Sequence, residues 1–369
     1  MVPATAAQTA EPRALPQTRF RGLNRQVAIA VLFAAAALMA LLIPIGLSYT
    51  SPPPRHAGDG DLALYQRIVQ TMRDGGAYYP TAHQQLRDGG YATRPVFAWR
   101  TPAYFSLLAR LPSTAAAKIM MGELAVLAGI MSWLLLRRDD YRLALIAAPL
   151  LLLSLGTASF DIGVFYSEYP TGMLMLMSAA AFGLGWRRSG MAAAIVALFL
   201  RELAAPYILV CLALSWRERR WREVAVWLGA IAAYAAYFLW HAAMVNAQLG
   251  PADFAWPEGW IAFGGARFVL STVGHNGLFF PAPLWLAALI LPLGILGLLA
   301  WPGDERIALT VFAYLVSFAI VGKPPNHYWG ELYMPMLTLA LPWAIPAIVD
   351  LVRAALTPTQ KAHAAQAFR

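Results

Sequence analysis

Nine long apolar runs punctuate this chain: Val27–Leu47, then about 113–136, 143–158, 170–186, 190–216, 223–245, 281–301, 306–322 and 332–353. About 20 apolar residues cross a bilayer as helix. A chain built this way has few folds open to it, because in lipid every backbone polar group must be satisfied internally. Only 13% of its 369 residues are charged and 59% are hydrophobic, with a mean hydropathy of +0.55. Too little polar side chain remains to cover a water-facing surface. Cytosolic enzymes, disordered scaffolds and nucleic-acid-binding modules are thereby excluded. The single Cys211 excludes a disulfide framework, and no paired Cys/His spacing suggests zinc.

The net charge of +9 reads as an orientation signal, since Lys and Arg accumulate on the cytoplasmic side. One decision sorts the charges. If 190–216 crossed once, Arg187 and Arg188 would face the opposite side from Arg217, Arg219, Arg220 and Arg222. The run instead contains Leu200-Arg201-Glu202-Leu203-Ala204-Ala205-Pro206, an ion pair ahead of a proline in apolar sequence. Proline removes a helix hydrogen bond, and broken backbone at membrane depth is tolerated where it lines a cavity. The expectation is two short arms with Arg201 at a non-cytoplasmic turn. Seventeen of the 28 basic residues then fall on inner segments, and both termini are cytoplasmic.

The resulting fold class is all-α, a polytopic transmembrane bundle of about ten membrane-embedded helices. Residues 1–26 are expected to form a disordered cytoplasmic tail, 27–353 one transmembrane domain, and 354–369 a second cytoplasmic tail. The first outer loop, 48–112, is the longest. Leu62, Tyr65, Ile68, Val69 and Met72 recur at helical spacing, which predicts an amphipathic helix over Asp61–Arg73, with Asp61 as a potential N-cap and Gly75-Gly76 ending it. Tyr104–Leu111 reads as a second short helix after Pro102. Both are expected to lie in the membrane interface. The inner loops are short and basic, so chemistry belongs on the outer face.

Gly58-Asp59-Gly60-Asp61-Leu62-Ala63-Leu64-Tyr65, followed by Met72-Arg73-Asp74-Gly75-Gly76-Ala77-Tyr78-Tyr79, resembles the first outer loop of GT-C fold glycosyltransferases, membrane enzymes that use polyprenyl-phosphate-linked sugars. Arg100-Thr101-Pro102-Ala103-Tyr104, the Arg201 segment and Tyr333-Met334-Pro335 are also similar to that superfamily. The chain departs from it where Leu62 follows Asp61 and many relatives have a second acid, and it lacks an appended soluble domain. The resemblance implies an inverting transfer on the periplasmic side of a bacterial inner membrane, from a polyprenyl-phosphate sugar to a lipid, glycan or protein acceptor. It implies Asp61 as base, Asp59 as its competitor, and Arg201 with Arg100 or Arg94 on the donor phosphate. Arginine suits that task because its fork matches phosphate oxygens.

Glu168 and Asp161 lie on an outer loop without cations and are candidates for an acceptor or divalent-metal site. Each also reads as ordinary loop solvation, and Asp61 as a plain cap. Glu202 can neutralise Arg201. Glu123 lies deep in a span. Tyr65 belongs to the quoted motif, and His275 and His327 sit on outer loops as hydrogen-bonding groups. The resemblance implies no nucleotide, and a divalent metal is the one cofactor candidate. A transporter or flippase, which needs polar residues reaching the inner half of several spans, and a non-catalytic subunit are the competing classes.

Overall fold

The computed structural model describes residues 15–50, 60–257, 262–279, 282–303 and 305–357. Asp59 and Trp260 lie outside them. Among the described residues the chain is all-helical, and five helices are long and apolar enough to cross a membrane. These are Arg25–Leu47 (α1), Thr114–Asp139 (α5), Tyr141–Ser159 (containing α6, Tyr141–Gly156), Trp221–Asn246 (α11) and Met334–Leu356 (α15, Met334–Ala340, and α16, Ala344–Leu356). They make this an integral membrane protein. The remaining apolar runs fold as shorter helices: α8 (Glu168–Gly183), α9 (Arg187–Leu200), α10 (Ala205–Arg217), α13 (Leu284–Ala300) and α14 (Glu305–Ile320). None of these reaches 18 residues.

The loop after α1 is largely helical. It holds α2 (Gly60–Arg73), α3 (Tyr78–Asp88) and α4 (Pro102–Arg110). Asp61 falls in the first turn of α2 rather than at its cap, where a carboxylate suits the helix dipole. The apolar stripe of α2, Leu64, Tyr65, Ile68 and Val69, is buried with Phe105 and Leu108 of α4. These faces are covered by protein, so the two helices are packed parts of the bundle rather than lipid-facing floats. The short helix α7 (Asp161–Phe165) and α12 (Gly265–His275) complete the set.

Chain direction changes at Arg201. Its φ of −153° and ψ of 124° interrupt the helix, a single 3-10 turn follows, and Pro206 enters α10 at its first turn, where its missing N–H costs nothing. The two arms fold back together. Arg187, at the start of α9, donates to Glu223 at 2.6 Å and lies 3.4 Å from Glu218, just beyond α10. The same end gathers Arg138 on the Gly183 carbonyl, Trp301 on Asp139, Arg217 on Glu305 and Arg19 on the Gly303 carbonyl. The basic residues thus converge at one end of the bundle. Cysteines placed at Arg188 and Arg219 are expected to react with an impermeant thiol reagent from the same side of sealed vesicles. Labelling from opposite sides would contradict the hairpin.

The 3-10 segment Pro324–Leu332 inserts at the other end. Two glycines make that possible. A Cβ on Gly172 of α8 would collide with the Glu331 carbonyl, and one on Gly330 with the Thr272 carbonyl of α12. The segment is therefore clamped backbone to backbone, which fixes the side chains of Tyr328 and Glu331.

Candidate active site

At the end opposite the basic cluster, a cavity of about 120 Å³ opens between α2, α3, α4 and the chain at 323–328, where the 3-10 segment begins. Its charged lining is Asp61, Arg100 and Lys323. Its walls are aromatic: Tyr65, Tyr78, Tyr91, Trp99, Trp256 and Tyr328. The Tyr91 hydroxyl faces Asp61.

Arg100 is the hub. Its Nε donates to the Tyr65 hydroxyl at 2.9 Å and its Nη2 to the Tyr328 hydroxyl at 2.6 Å, with the guanidinium 5.5 Å and 5.8 Å from those two rings. Tyr78 donates in turn to the Arg100 carbonyl. Planar donors held on two aromatic faces leave the guanidinium little freedom to reorient. Burial pushes the Tyr65 hydroxyl up to about 12 although Arg100 pulls the other way, so Tyr65 stays a neutral hydrogen-bonding group.

Behind Arg100 runs a buried ion-pair chain. Arg100 Nη2 lies 3.8 Å from Glu168, Arg201 Nε donates to the same Glu168 oxygen at 2.9 Å, and Arg201 also pairs with Glu202. Glu168 is 0% exposed and Arg201 2%. Charges removed from water this fully persist only with partners, and here two arginines meet two carboxylates.

This corrects several sequence-based expectations. Glu168 lies in the first turn of α8, inside the protein, rather than on an open loop. Arg201 does not line the cavity; its side chain is occupied by Glu168 and Glu202. Arg94 is exposed and joins the fold through its backbone, on Phe254 and Ala255, so it is no part of the cavity. Asp161 pairs with Lys118 at 2.7 Å on the surface, both about half exposed. Glu123 is exposed on α5, remote from the site. His327 Nδ1 lies 3.2 Å from the Pro324 carbonyl. His275 Nε2 lies 3.3 Å from the Tyr169 hydroxyl, with the His327 ring 4.7 Å away. Burial and His327 hold His275 down to about 3, so it is neutral. No group of three or more His, Cys, Asp or Glu that could hold a metal occurs among the described residues.

Lys323 and Tyr328 were legible only as members of an outer loop. Their nearness to Arg100 depends on the glycine clamps on the 3-10 segment. Glu331, on that segment, is 2% exposed and accepts from Asn276 at 2.9 Å. Burial raises its carboxyl from 4.5 to about 8 against the Asn276 bond. Below 4.5 it is protonated in folded and unfolded chains alike. Between 4.5 and about 8 only the unfolded chain ionises, so stability falls as pH rises. Glu331→Gln keeps the Asn276 bond and is expected to match wild type in apparent Tm at pH 4 and exceed it by several degrees at pH 8.5. An unchanged difference between the two pH values would show that Glu331 is ionised in the fold.

Compared with known protein families, curated proteins and solved structures, the chain matches none of them.

Proposed function

We propose that the protein is a GT-C-like membrane glycosyltransferase that moves a sugar from a polyprenyl-phosphate carrier to a hydroxyl acceptor. One observation carries this reading: Asp61, Arg100 and Lys323 line one aromatic-walled cavity. A carboxylate and two cations in one cavity supply both kinds of group that such a transfer needs, a base and phosphate ligands.

Asp61 takes the proton of the acceptor hydroxyl, whose oxygen attacks the anomeric carbon. The bond from that carbon to the phosphate oxygen breaks, and its electron pair leaves with the lipid phosphate. Arg100 and Lys323 hold that phosphate as its charge grows. The aromatic walls suit the apolar faces of a sugar ring. Arg201 and Glu168 act one layer back, setting the position of Arg100.

In this reading the ten-helix count includes the shorter helices, and the basic end is cytoplasmic under the positive-inside bias. The cavity then opens to the periplasmic face of a bacterial inner membrane, with both termini inside. The reading is tested with purified protein in lipid nanodiscs, a polyprenyl-phosphate donor carrying labelled sugar, and an envelope extract as acceptor. Label is expected to leave the carrier and appear in the acceptor fraction. Label that stays on the carrier with every extract tried would contradict it.

A further inference from the structure

The helix α2 borders two pockets. Asp61, Leu64, Tyr65 and Ile68 line the cavity already described. Gln66, Gln70 and Arg73, spaced by four and three residues, form one stripe on the opposite side of the helix. That stripe lines a second pocket of about 270 Å³, bounded also by Arg67, by Thr114 at the start of α5 and by Phe165 at the end of α7. Among the described residues its lining holds two arginines, two amides and no carboxylate.

Arg73 is fixed in this pocket by neutral groups. Its Nη1 donates to the Thr114 hydroxyl and its Nη2 to the Leu108 carbonyl, both at 3.2 Å. Those bonds use two of its five N–H donors, and its Nε is buried with no acceptor among the described residues. Arg67 is held through its Nε on Gln85 at 2.9 Å. The acids nearby are engaged elsewhere. Asp74 is exposed and accepts from the Gln70 amide at 3.1 Å, and Asp161 pairs with Lys118. Thr114 opens a 26-residue helix, whose positive end adds to the field of the arginines. The pocket is also accessible from water. Gly122 lies against Ser159, the end of the neighbouring span, and Thr114 is eight residues earlier, about 12 Å farther along the helix.

The geometry points to a phosphate-binding site between α2 and the start of α5, anchored by Arg73 and separate from the cavity. Donors exceed acceptors here, so an oxygen-rich anion supplies what the fold does not. The donors come from both sides of the pocket, from the α2 stripe and from Arg67. A tetrahedral phosphate accepts from several directions at once, whereas a planar carboxylate serves a single fork. A lipid headgroup and a water-borne phosphate group present this same chemistry. Occupancy would brace α2 from behind, whether or not the cavity transfers sugar.

The test is equilibrium dialysis of labelled inorganic phosphate against the full-length protein, delipidated in maltoside detergent. Saturable binding is expected. Arg73→Gln should weaken it about tenfold or more, the scale of a lost charge-assisted hydrogen bond. Arg73 also ties α2 to α4, so Gln66→Glu serves as a second variant. It brings a negative charge to the pocket, leaves the Arg73 bonds in place, and should weaken binding as strongly with an unchanged apparent Tm. Lys323→Gln should leave this binding intact, which separates the site from the cavity and its test from that of the proposed function. Repeating the titration in phosphatidylglycerol nanodiscs identifies the source. Binding lost there assigns the pocket to a lipid headgroup, and binding retained assigns it to a water-borne phosphate group. The inference is overturned by an absence of saturable binding in detergent, by binding that falls only in Lys323→Gln, or by acetate competing as well as phosphate does.

Discussion

Asp61→Asn is expected to yield a folded, correctly inserted protein whose sugar transfer falls by about 10²-fold or more. That is the low end of what a positioned general base supplies. The substitution keeps the size and hydrogen-bonding reach of the side chain at the first turn of α2, so packing of Leu64, Tyr65, Ile68 and Val69 stays intact. What it removes is the proposed proton acceptor, a carboxylate in the cavity that Arg100 and Lys323 also line. The loss should lie in kcat rather than in donor KM, because the donor phosphate is held by the cations. Transfer by Asp61→Asn at the wild-type rate would remove Asp61 as base and pass the role to Asp59.

The second large effect concerns stability. Glu168→Ala strands the Arg201 guanidinium, buried to 2% exposure, with Glu202 as its remaining carboxylate, and withdraws the acid 3.8 Å from Arg100. Breaking a buried pair from one side typically costs about 3–5 kcal/mol. The expected result is a sharply lower apparent Tm in detergent and poor recovery of folded protein. The double variant Glu168→Leu/Arg201→Leu removes both charges and should regain much of the loss, since an apolar replacement of a buried pair is often neutral. A single variant as stable as wild type would show that the pair is wet in the membrane.

The parts of the fold legible in the sequence are those written in local pattern. The helix at α2 followed from a 3.6-residue stripe, the start of α4 from Pro102, and the break at Arg201 from a charged pair and a proline inside an apolar run. α3 went unread because Tyr78-Tyr79-Pro80 has a strand-like and turn-like composition. Only packing of Tyr78, Tyr79, Ala82 and Leu86 makes it a helix. The runs read as membrane helices include several too short to cross alone, since hydropathy marks apolar sequence and not the length between breaks.

The site divides along the same line. Asp61 and Tyr65 lie one helical turn apart, and Arg100, in the same outer loop, meets them through neighbouring short helices. Glu168 read as an outer-loop acid, a candidate for an acceptor or metal site or else loop solvation, because nothing local reports that α8 begins there and buries it against Arg201. Lys323 was not singled out in the sequence for a similar reason. Its burial to 8% exposure accompanies the insertion of the adjoining segment, whose closest contacts run through Gly172 and Gly330, two glycines unremarkable in the sequence. Arg94 and Arg100 could not be ranked as phosphate ligands from the sequence, since both flank the same Pro/aromatic stretch. The fold turns one outward and stacks the other between tyrosines.

The most direct test of the central claim is saturable binding of a short-chain polyprenyl-phosphate monosaccharide to the protein in nanodiscs, compared across three variants. The cavity account predicts that Arg100→Gln and Lys323→Gln each weaken binding about tenfold or more, the scale of a lost charge-assisted hydrogen bond, while Arg94→Gln binds as wild type does. Absence of saturable binding, or a loss in Arg94→Gln equal to that in Lys323→Gln, would contradict it.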